Sequence, residues 1–442
     1  MNATSATAPA GVAETCDVLV IGGGPGGSTV ATLLARRGWS VIGLEKERHP
    51  RFHIGESLLP MNLPIFERLG VMDKVRALGK YKAGADFEAD NERGYNTFDF
   101  CRALGSSPPH AFEVYRQEFD QMLFEHAREN GADMRDGERV TQVEHEDSRQ
   151  HVATVRGPGG EYVIRARYVI DASGRDAFLA GRKKLKRKNR KHQTAALFGH
   201  FTGAEFRQGE HAGNVSVYRF GQSGWAWLIP LRNEVMSVGV VAGPDHFKQR
   251  RGDTNAFFFD MLKSNAAMWK RLENANLIDE RVQATGNYSY DAKRIGGPGW
   301  MLIGDAFGFL DPVFSPGVLL AMGGAERAAD VVDTALRQPR REAAMQRRLE
   351  KRLRLGMKRF SFFIYRFNNP IMARLFRNPR NVCQIEQGII SMLAGDVFDD
   401  RAVLRRLTLF RTIYSVNSLL DFRAWFGEWR ERRRQARAAY VE

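Results

Sequence analysis

The sequence predicts an α/β protein in which a dinucleotide-binding domain is combined with an antiparallel sheet and a helical C-terminal region. A β-branched run at 16–21 leads directly into a glycine-rich loop at 22–27, which is typical of a βαβ unit. Two further apolar runs, 167–171 and 299–303, also end in glycine turns, so we expect a domain assembled from separated segments. With 442 residues, 43% of them hydrophobic, the chain can bury a large core, which excludes the disordered, collagen-like and disulfide-scaffold classes.

A glycine motif, Gly22-x-Gly24-x-x-Gly27, lies between the first strand and a predicted helix. The first glycine of such a motif permits a tight turn, the second lets the backbone approach a pyrophosphate, and the third lets the helix pack on the strand. A second strand, 39–44, ends at Glu45, where an acidic side chain favours an unphosphorylated ribose, as in FAD or NAD. A glycine turn without a ligand is the structural alternative. The predicted cofactor-binding residues of this unit are Gly22, Gly24, Pro25, Gly26, Gly27, Glu45 and Lys46.

The middle and the end of the chain predict two further regions. Alternating residues at 215–220 and 236–241 predict an antiparallel sheet, which we expect to face the substrate. Beyond about residue 336 the chain predicts several helices, broken at Pro370 and Pro379. The predicted organisation is a disordered tail at 1–15, a dinucleotide-binding domain at 16–80, 111–185 and 285–335, a substrate domain at 81–110 and 190–284, and a helical C-terminal region at 336–442.

The chain is strongly basic, with a formal net charge of +15. A dense basic run at 182–191 predicts either a solvated loop or a docking surface for an acidic acyl or peptidyl carrier protein. Nucleic acid is disfavoured as a partner, because neither a recognition motif nor interleaved stacking aromatics accompany the run. The tail at 425–434 combines aromatic residues with arginines, which is typical of ordinary packing beside a charged terminus or of peripheral contact with an anionic membrane.

Cysteine usage and hydropathy bear on the compartment. Cys16, Cys101 and Cys383 are widely separated, so we predict neither a metal site nor a disulfide framework. The first fifteen residues lack the apolar core of a signal peptide, and no apolar run approaches the roughly 20 residues needed to cross a bilayer. We therefore expect a cytoplasmic protein.

The third strand-to-glycine junction indicates which dinucleotide cofactor the chain binds. The segment 304–312 resembles the second FAD fingerprint of the glutathione-reductase-like flavoproteins. This resemblance implies FAD rather than NAD, held by a glutathione-reductase-like Rossmann domain. It also implies that Asp305 lies near the ribityl and pyrophosphate region and Arg116 near the pyrophosphate. A helix cap for Asp305 and a surface charge for Arg116 are the structural alternatives.

A second resemblance indicates which reaction the chain catalyses. The pattern W-x-W-x-I-P at 225–230 resembles the signature of the flavin-dependent halogenases. Two tryptophans at period two are also typical of a strand face packed against a core. The other segments that are similar to this family, in family order, are 51–60, 82–87, 171–175 and 304–317. Together these segments extend the resemblance over roughly residues 15–335.

The resemblance implies a two-component enzyme, in which reduced FAD from a separate flavin reductase, oxygen and a halide (chloride or bromide) generate hypohalous acid. Lys82 would tether this acid and present it to a small, electron-rich aromatic substrate, while Trp225 and Trp227 form a barrier beside the flavin. A solvated surface lysine beside Lys80 is the alternative for Lys82. The residues implied as catalytic are Lys82, Trp225, Trp227 and Ser315, and those implied near the cofactor are Glu56, Ser57, Arg116, Asp305, Gly317 and Val318.

Two positions depart from the family pattern. Phe314 stands before Ser315 where the tryptophan-halogenating branch has a glutamate, which places the chain nearer the branch acting on phenols and pyrroles, often tethered to a carrier protein. Pro316 has no N–H group to offer a halide beside that serine. An FAD-dependent monooxygenase, a geranylgeranyl-reductase-like reductase or dehydrogenase, and a flavin-binding partner protein without turnover are therefore alternatives.

Overall fold

The computed structural model describes most of the chain. The described residues are 14–89, 94–147, 150–220, 224–248, 252–377, 379, 381–420, 426, 427, 429–431, 433 and 434, without side chains for 190–192, 244, 287 and 288. The strands are β1 (Glu14–Ile21), β2 (Val41–Glu45), β3 (Gly79–Lys82), β4 (Gly84–Glu88), β5 (Tyr95–Asp99), β6 (Ala111–Val114), β7 (Asp133–Asp136), β8 (Arg139–Asp147), β9 (Gln150–Gly157), β10 (Gly160–Asp171), β11 (Lys186–Thr202), β12 (Val215–Phe220), β13 (Gly224–Pro230), β14 (Met236–Ala242), β15 (Asn276–Leu277), β16 (Gln283–Ala292), β17 (Gly296–Gly297), β18 (Trp300–Leu302) and β19 (Gly308–Phe309).

The helices alternate with these strands and then continue alone to the C-terminal end of the described chain. They are α1 (Pro25–Ala35), α2 (Leu63–Leu69), α3 (Met72–Leu78), α4 (Arg116–Glu129), α5 (Phe178–Arg182), α6 (Pro244–Lys248), α7 (Thr254–Lys263), α8 (Ala266–Lys270), α9 (Gly317–Arg337), α10 (Glu342–Ile364), α11 (Pro370–Arg377), α12 (Ile385–Leu393) and α13 (Arg401–Leu420). In the part of the chain described above, no helix is both long and apolar enough to cross a membrane.

The first core surrounds an eight-stranded sheet, called the parallel sheet after its central strands, to which β8, β9 and β17 add antiparallel pairs. β1 pairs in parallel with β10 and β2, and β18 and β7 extend the sheet in parallel beyond them. Val18, Leu19 and Val20 are fully buried, because helices such as α1 and α9 cover the strands. The three separated strand-to-glycine junctions of the sequence therefore meet in one sheet, and the predicted α/β class is confirmed.

A second, mostly antiparallel sheet runs in the order β19-β16-β11-β14-β13-β12-β4-β5. The alternating segments predicted as an antiparallel sheet are its strands β12 and β14, which both pair with β13. β4 joins the same sheet by pairing with β12 in parallel. β3 and β6 form a separate ribbon, which the segment around Ser57 extends through a bridge to Glu113. The predicted domain boundaries themselves stay a prediction.

Three local expectations differ from the structure. Residues 1–13 of the predicted tail lie outside the described residues, but Glu14 and Thr15 already pair with β10, so the predicted tail is too long. The strand predicted from residue 39 begins at Val41. The loop reading of the basic run at 182–191 is wrong, because its second half is the start of β11, which pairs with β16.

The helical C-terminal region is confirmed, and α11 begins at Pro370 as predicted. The predicted break at Pro379 falls between α11 and α12, although its neighbour Asn378 lies outside the described residues. Of the aromatic tail, Trp425 is also outside them, while the rings of Phe426 and Trp429 stack on each other at 5.6 Å. Phe426 and Trp429 are 43% and 39% exposed, and both interpretations of the tail stay predictions.

Candidate active site

The glycine loop is shaped by contacts that leave no room for side chains. Gly22 has a φ of 107°, and a Cβ there would lie 2.4 Å from the carbonyl oxygen of Ala172. A Cβ on Gly27 would lie 1.9 Å from the carbonyl oxygen of Gly22, so this glycine lets α1 pack on β1. Gly24 is the N-cap of α1 and Pro25 its first residue, which leaves the first N–H groups of the helix facing the loop.

Glu45, at the end of β2, folds back onto this loop. Its Oε2 accepts a hydrogen bond from the Gly23 N–H at 2.8 Å and lies 3.4 Å from the Nη2 of Arg51. The adjacent Lys46 points away and forms an ion pair with the exposed Asp176 at 2.5 Å. The structure thus brings Glu45 to the glycine motif and does not bring Lys46 there.

Two guanidinium groups converge beside the loop. Arg116 is 6% exposed, which rules out the surface-charge alternative, and it donates two hydrogen bonds to Asp120, at 2.8 and 3.0 Å. Arg51 lies 3.5 Å from the same carboxylate, and its Nη2 would be 3.4 Å from a Cβ on Gly24. Burial alone would raise the pKa of Asp120, but Arg116 and Arg51 hold it below its usual value. Sequence reasoning missed Arg51 and Asp120.

Asp305 follows β18 in a short 3-10 turn that has no side-chain cap, so the helix-cap alternative is not supported. Burial raises its pKa to about 6, and Arg175 and Arg116 act in the opposite direction. Arg175, which motif matching did not single out as a ligand, also donates to the Thr285 hydroxyl at 2.7 Å. Glycine backbone, guanidinium groups and a carboxylate at the ribose position together form a donor set that fits the pyrophosphate and ribose of FAD.

The tryptophan pair lies on β13 with both indoles buried. Trp225 and Trp227 are 6% and 5% exposed, and their ring centroids are 5.6 Å apart. Trp225 donates from Nε1 to Asp311 at 3.2 Å, and Trp227 donates to Ser237 at 3.1 Å. Both rings belong to a hydrophobic cluster that also contains Phe314. The pair is therefore rigid and packed, and Asp311 ties it to the loop after the flavin fingerprint.

That loop enters α9 at its N-terminus. Ser315 adopts a left-handed conformation with a φ of 53°, and Pro316 is the N-cap of α9. Gly317 and Val318 are the first residues of the helix, where backbone N–H groups have no partner within the helix. A Cβ on Gly317 would meet nothing within 4 Å, so open space adjoins this helix start. Phe314 packs against Phe367 at 5.6 Å and other phenylalanine rings.

Lys82, the last residue of β3, is 1% exposed, so the surface-lysine alternative is wrong. Its Nζ donates to the Ser57 hydroxyl at 2.6 Å and to the Leu58 carbonyl at 3.1 Å. The carboxylate of Glu113 lies 3.4 Å away. Burial lowers the pKa of Lys82, and Glu113 acts in the opposite direction.

Glu56 and Ser57 meet the ribbon from the other side. The backbone carbonyl of Glu56 accepts a hydrogen bond from the Val114 N–H at 2.8 Å, which fixes the segment along β6. Glu56 Oε1 contacts His200 Nε2 at 2.7 Å. Burial would lower the pKa of His200, but the hydrogen bond and charge of Glu56 raise it. Sequence reasoning missed both Glu113 and His200, whose partners are far away in sequence.

Comparison with known families identifies one match over most of the chain. The family described as FAD binding domain matches residues 15–360. A tryptophan 2-halogenase of Chondromyces crocatus is 35% identical over 72% of this chain, which spans 61% of that enzyme's length. A flavin-dependent halogenase of Armillaria mellea is 34% identical over 78% of this chain and 70% of its own length. A 1H-pyrrole-2-carbonyl-[peptidyl-carrier protein] chlorinase of Pseudomonas fluorescens is 29% identical over 87% of this chain and 90% of its own.

Solved structures share the same fold. A flavoprotein/dehydrogenase from Cytophaga hutchinsonii aligns with a TM-score of 0.83 and 26% identity, covering 92% of this chain and 99% of that one. A flavin-dependent brominase aligns with a TM-score of 0.80 and 26% identity, covering 90% of this chain and 99% of that one.

Proposed function

The chain belongs to the flavin-dependent halogenases, within the wider FAD binding domain family, and from this membership we propose that it is a two-component halogenase of electron-rich aromatic compounds. The observation that carries this proposal is the buried Lys82. A lysine that is 1% exposed loses much of its hydration, and such a side chain is retained where its amine is used.

FAD is held, in this proposal, by the glycine loop and the charged groups around it. The N–H groups at the start of α1, with Arg51 and Arg116, neutralise the pyrophosphate, and Glu45 binds the ribose hydroxyls. Asp305 receives the ribityl region. When bound and reduced, FAD would donate electrons to oxygen. The oxygen activated in this way would oxidise halide to hypohalous acid.

Lys82 then holds the hypohalous acid, by hydrogen bond or as an N-halo amine, and presents the halogen to the substrate ring. The packed pair Trp225 and Trp227 keeps the organic substrate away from the flavin. Glu56 and Ser57 shape the flavin side of this path, next to Lys82. Halide meets the N–H groups of Gly317 and Val318 beside Ser315, at the positive end of the α9 dipole.

Three further observations support the substrate class in this proposal. Phe314 occupies the position of the glutamate of the tryptophan-halogenating branch and is packed in an apolar cluster, which favours a phenol or a pyrrole. The chlorinase of Pseudomonas fluorescens acts, by its name, on a carrier-bound pyrrole. Two exposed lysines, Lys184 just before β11 and Lys188 within it, favour docking of an acidic carrier protein. A flavin reductase partner and a cytoplasmic location stay predictions, as does the absence of a nucleic-acid partner.

The deciding experiment supplies the FAD-loaded chain with a flavin reductase, oxygen and bromide. Products are detected by mass spectrometry on free phenols, free and carrier-bound pyrroles, and indoles. We expect a bromine isotope pattern that is lost in Lys82→Ala and kept in Lys351→Ala, which alters an exposed lysine on α10. An unchanged pattern in Lys82→Ala would remove Lys82 from the reaction.

A second candidate function is supported by Pro316. Because a proline at the N-cap of α9 offers no N–H group, the start of this helix has one donor fewer for a halide. A flavin-dependent monooxygenase, reductase or dehydrogenase would not need that donor. Oxygen insertion, or oxidation or reduction of the substrate, without bromine incorporation in the same experiment would establish this second function.

A further inference from the structure

Glu113 and Lys82 form a buried pair. Lys82 lies in a family-like segment, whereas Glu113 lies in no sequence motif. Glu113 is 0% exposed, and its Oε1 lies 3.4 Å from the Nζ of Lys82. Ser57 connects them, because its hydroxyl accepts from Lys82 at 2.6 Å and donates to Glu113 at 3.3 Å. Glu113 Oε2 is buried and has no hydrogen-bond partner among the described residues. A carboxylate with one open oxygen, buried beside an amine, is costly as an anion and is stabilised by a proton.

We propose that Glu113 is the proton partner of Lys82, so that the pair holds one exchangeable proton and Glu113 supplies it to the amine during halogen transfer. This inference rests on the proposed function, because it assigns Glu113 a part in the same reaction. In this chain the carboxylate is supplied by Glu113 on β6. The loop before Ser315 carries Phe314, which is packed in the apolar cluster and has no carboxylate.

The proton balance can be written for the N-halo amine. The neutral Lys82 amine attacks hypohalous acid, so that the N–halogen bond forms, the oxygen–halogen bond breaks, and an amine proton leaves with hydroxide as water. The aromatic ring then takes the halogen from nitrogen, while protonated Glu113 gives its proton to the departing amine nitrogen. The proton lost from the ring carbon returns to Glu113. Hypohalous acid is the only oxidant consumed, and both side chains end as they began.

The surroundings of the pair favour a shared proton. Burial raises the pKa of Glu113 to about 8, against the charge of Lys82, and burial lowers the pKa of Lys82. The two pKa values therefore approach each other, and the proton belongs to the pair rather than to one group. Glu56 adds a like charge that favours protonated Glu113, although His200 partly neutralises it. Behind Glu56 lie His200, which contacts its carboxylate, and Tyr115, whose ring packs edge-on against His200. Lys80 is opposite Glu113 in the ribbon, but its amine lies over the ring of Phe206 at 4.7 Å.

The test measures the protonation of Lys82 itself, so that it does not depend on halogenation. The FAD-loaded protein is labelled with a trace of acetic anhydride across a pH series, and acetylation of Lys82 is quantified by peptide mass spectrometry relative to Lys351. Glu113→Gln removes the negative charge that favours the ammonium form. We therefore expect the titration midpoint of Lys82 to fall by about one pH unit or more, because each unit is a tenfold change in equilibrium.

Halogenation provides the second readout. In Glu113→Gln we expect kcat to fall about tenfold or more, since proton transfer of this kind contributes about 10²–10⁴-fold to a rate. The acidic limb of the pH profile, on which activity rises as Lys82 loses its proton, should move to lower pH with the Lys82 midpoint, while the KM for the aromatic substrate changes less than about twofold. A merely structural role of Glu113 would not move the acidic limb.

Two variants control this test. Glu125→Gln removes an exposed glutamate of α4 and should leave the Lys82 midpoint unchanged. Glu113→Asp keeps the negative charge but places it further from Nζ. The Lys82 midpoint should therefore also fall, but by less than in Glu113→Gln. This variant provides the test if Glu113→Gln does not fold. An unchanged midpoint in a folded Glu113 variant overturns the inference. A lowered midpoint in the Glu113 variants, combined with a wild-type chain that never halogenates, would instead overturn the proposed function.

Discussion

The buried carboxyl group of Asp305 lowers the stability of the cofactor-free fold, although its charge suits the proposed cofactor site. Its pKa is raised by burial to about 6, despite Arg175 and Arg116. The unfolded chain, with an ordinary Asp pKa of about 3.9, therefore ionises first as the pH rises, so the cofactor-free fold loses stability between about pH 4 and pH 6 and keeps that penalty above it. In the proposed function, the negative charge and acceptor oxygens of this carboxylate serve the cofactor.

We predict that Asp305→Asn raises the melting temperature of the cofactor-free protein. The increase should be a few degrees at about pH 7.5, where the penalty is complete, and much smaller at about pH 4.5. Thermal unfolding followed by circular dichroism at both pH values measures this. Asp330→Asn, which alters an exposed aspartate of α9, is the control. Equal increases at both pH values would show that ionisation of Asp305 is not the cause.

Single residues of the site could be predicted only where a motif carries them. Glu45 and Lys82 lie in segments that resemble known patterns; in the structure Glu45 accepts a hydrogen bond from the glycine loop and Lys82 is buried. Glu113 could not be found in this way, because it meets Ser57 through a bridge between segments 56 positions apart. The partner of Glu56, His200, is 144 positions away on another sheet. Such pairs depend on strand pairing rather than on local sequence.

At the scale of elements, the start of α9 can be tested through Pro316. Its φ of −78° is open to any residue, and its carbonyl accepts from the Leu320 N–H at 2.9 Å, which alanine would preserve. Pro316→Ala should therefore keep the helix and add one N–H at its positive end. We expect the KM for bromide to fall about tenfold or more with little change in kcat, since a hydrogen bond to a charged group contributes about 1.5–3 kcal/mol and about 1.4 kcal/mol is a factor of ten.

The measurement is the halogenation rate as a function of bromide concentration at saturating aromatic substrate. Pro339→Ala, in the short turn between α9 and α10, is the matched control and should leave the bromide KM unchanged. If Pro316→Ala also leaves it unchanged, halide does not depend on the first N–H groups of α9.

The elements themselves were predictable where hydrophobic periodicity was clear and not where charge dominated. β1 and α1 follow from an apolar run and a glycine motif. The basic run was misread because its lysines and arginines suggest solvation, yet in β11 Arg187 pairs with Asp291 at 2.5 Å and Lys186 lies over the ring of Tyr290 at 3.8 Å. The side chains of Lys186, Arg187 and Lys188 stay exposed, and backbone pairing with β16, rather than burial, makes the second half of the run a strand.

At the scale of the whole molecule, the flavin fingerprint connects the two large sheets. β18 pairs with β10 in the parallel sheet, and β19, which five residues separate from β18, pairs with β16 in the antiparallel sheet. Asp305 lies in the turn between them. The fold class could be predicted because each sheet has its own sequence period, but this connection could not, since β19 is only two residues long.

Because one turn joins both sheets, we predict that FAD stabilises them together. Hydrogen exchange on the cofactor-free and FAD-loaded protein should show added protection in peptides of β1 and β2 and also in peptides of β16 and β13. At an FAD concentration of about 100 times Kd, linkage gives about 2.7 kcal/mol of stabilisation, so globally exchanging amides in both sheets should slow by about 100-fold. Protection confined to the parallel sheet would mean that the antiparallel sheet opens independently, and that the turn around Asp305 does not couple them.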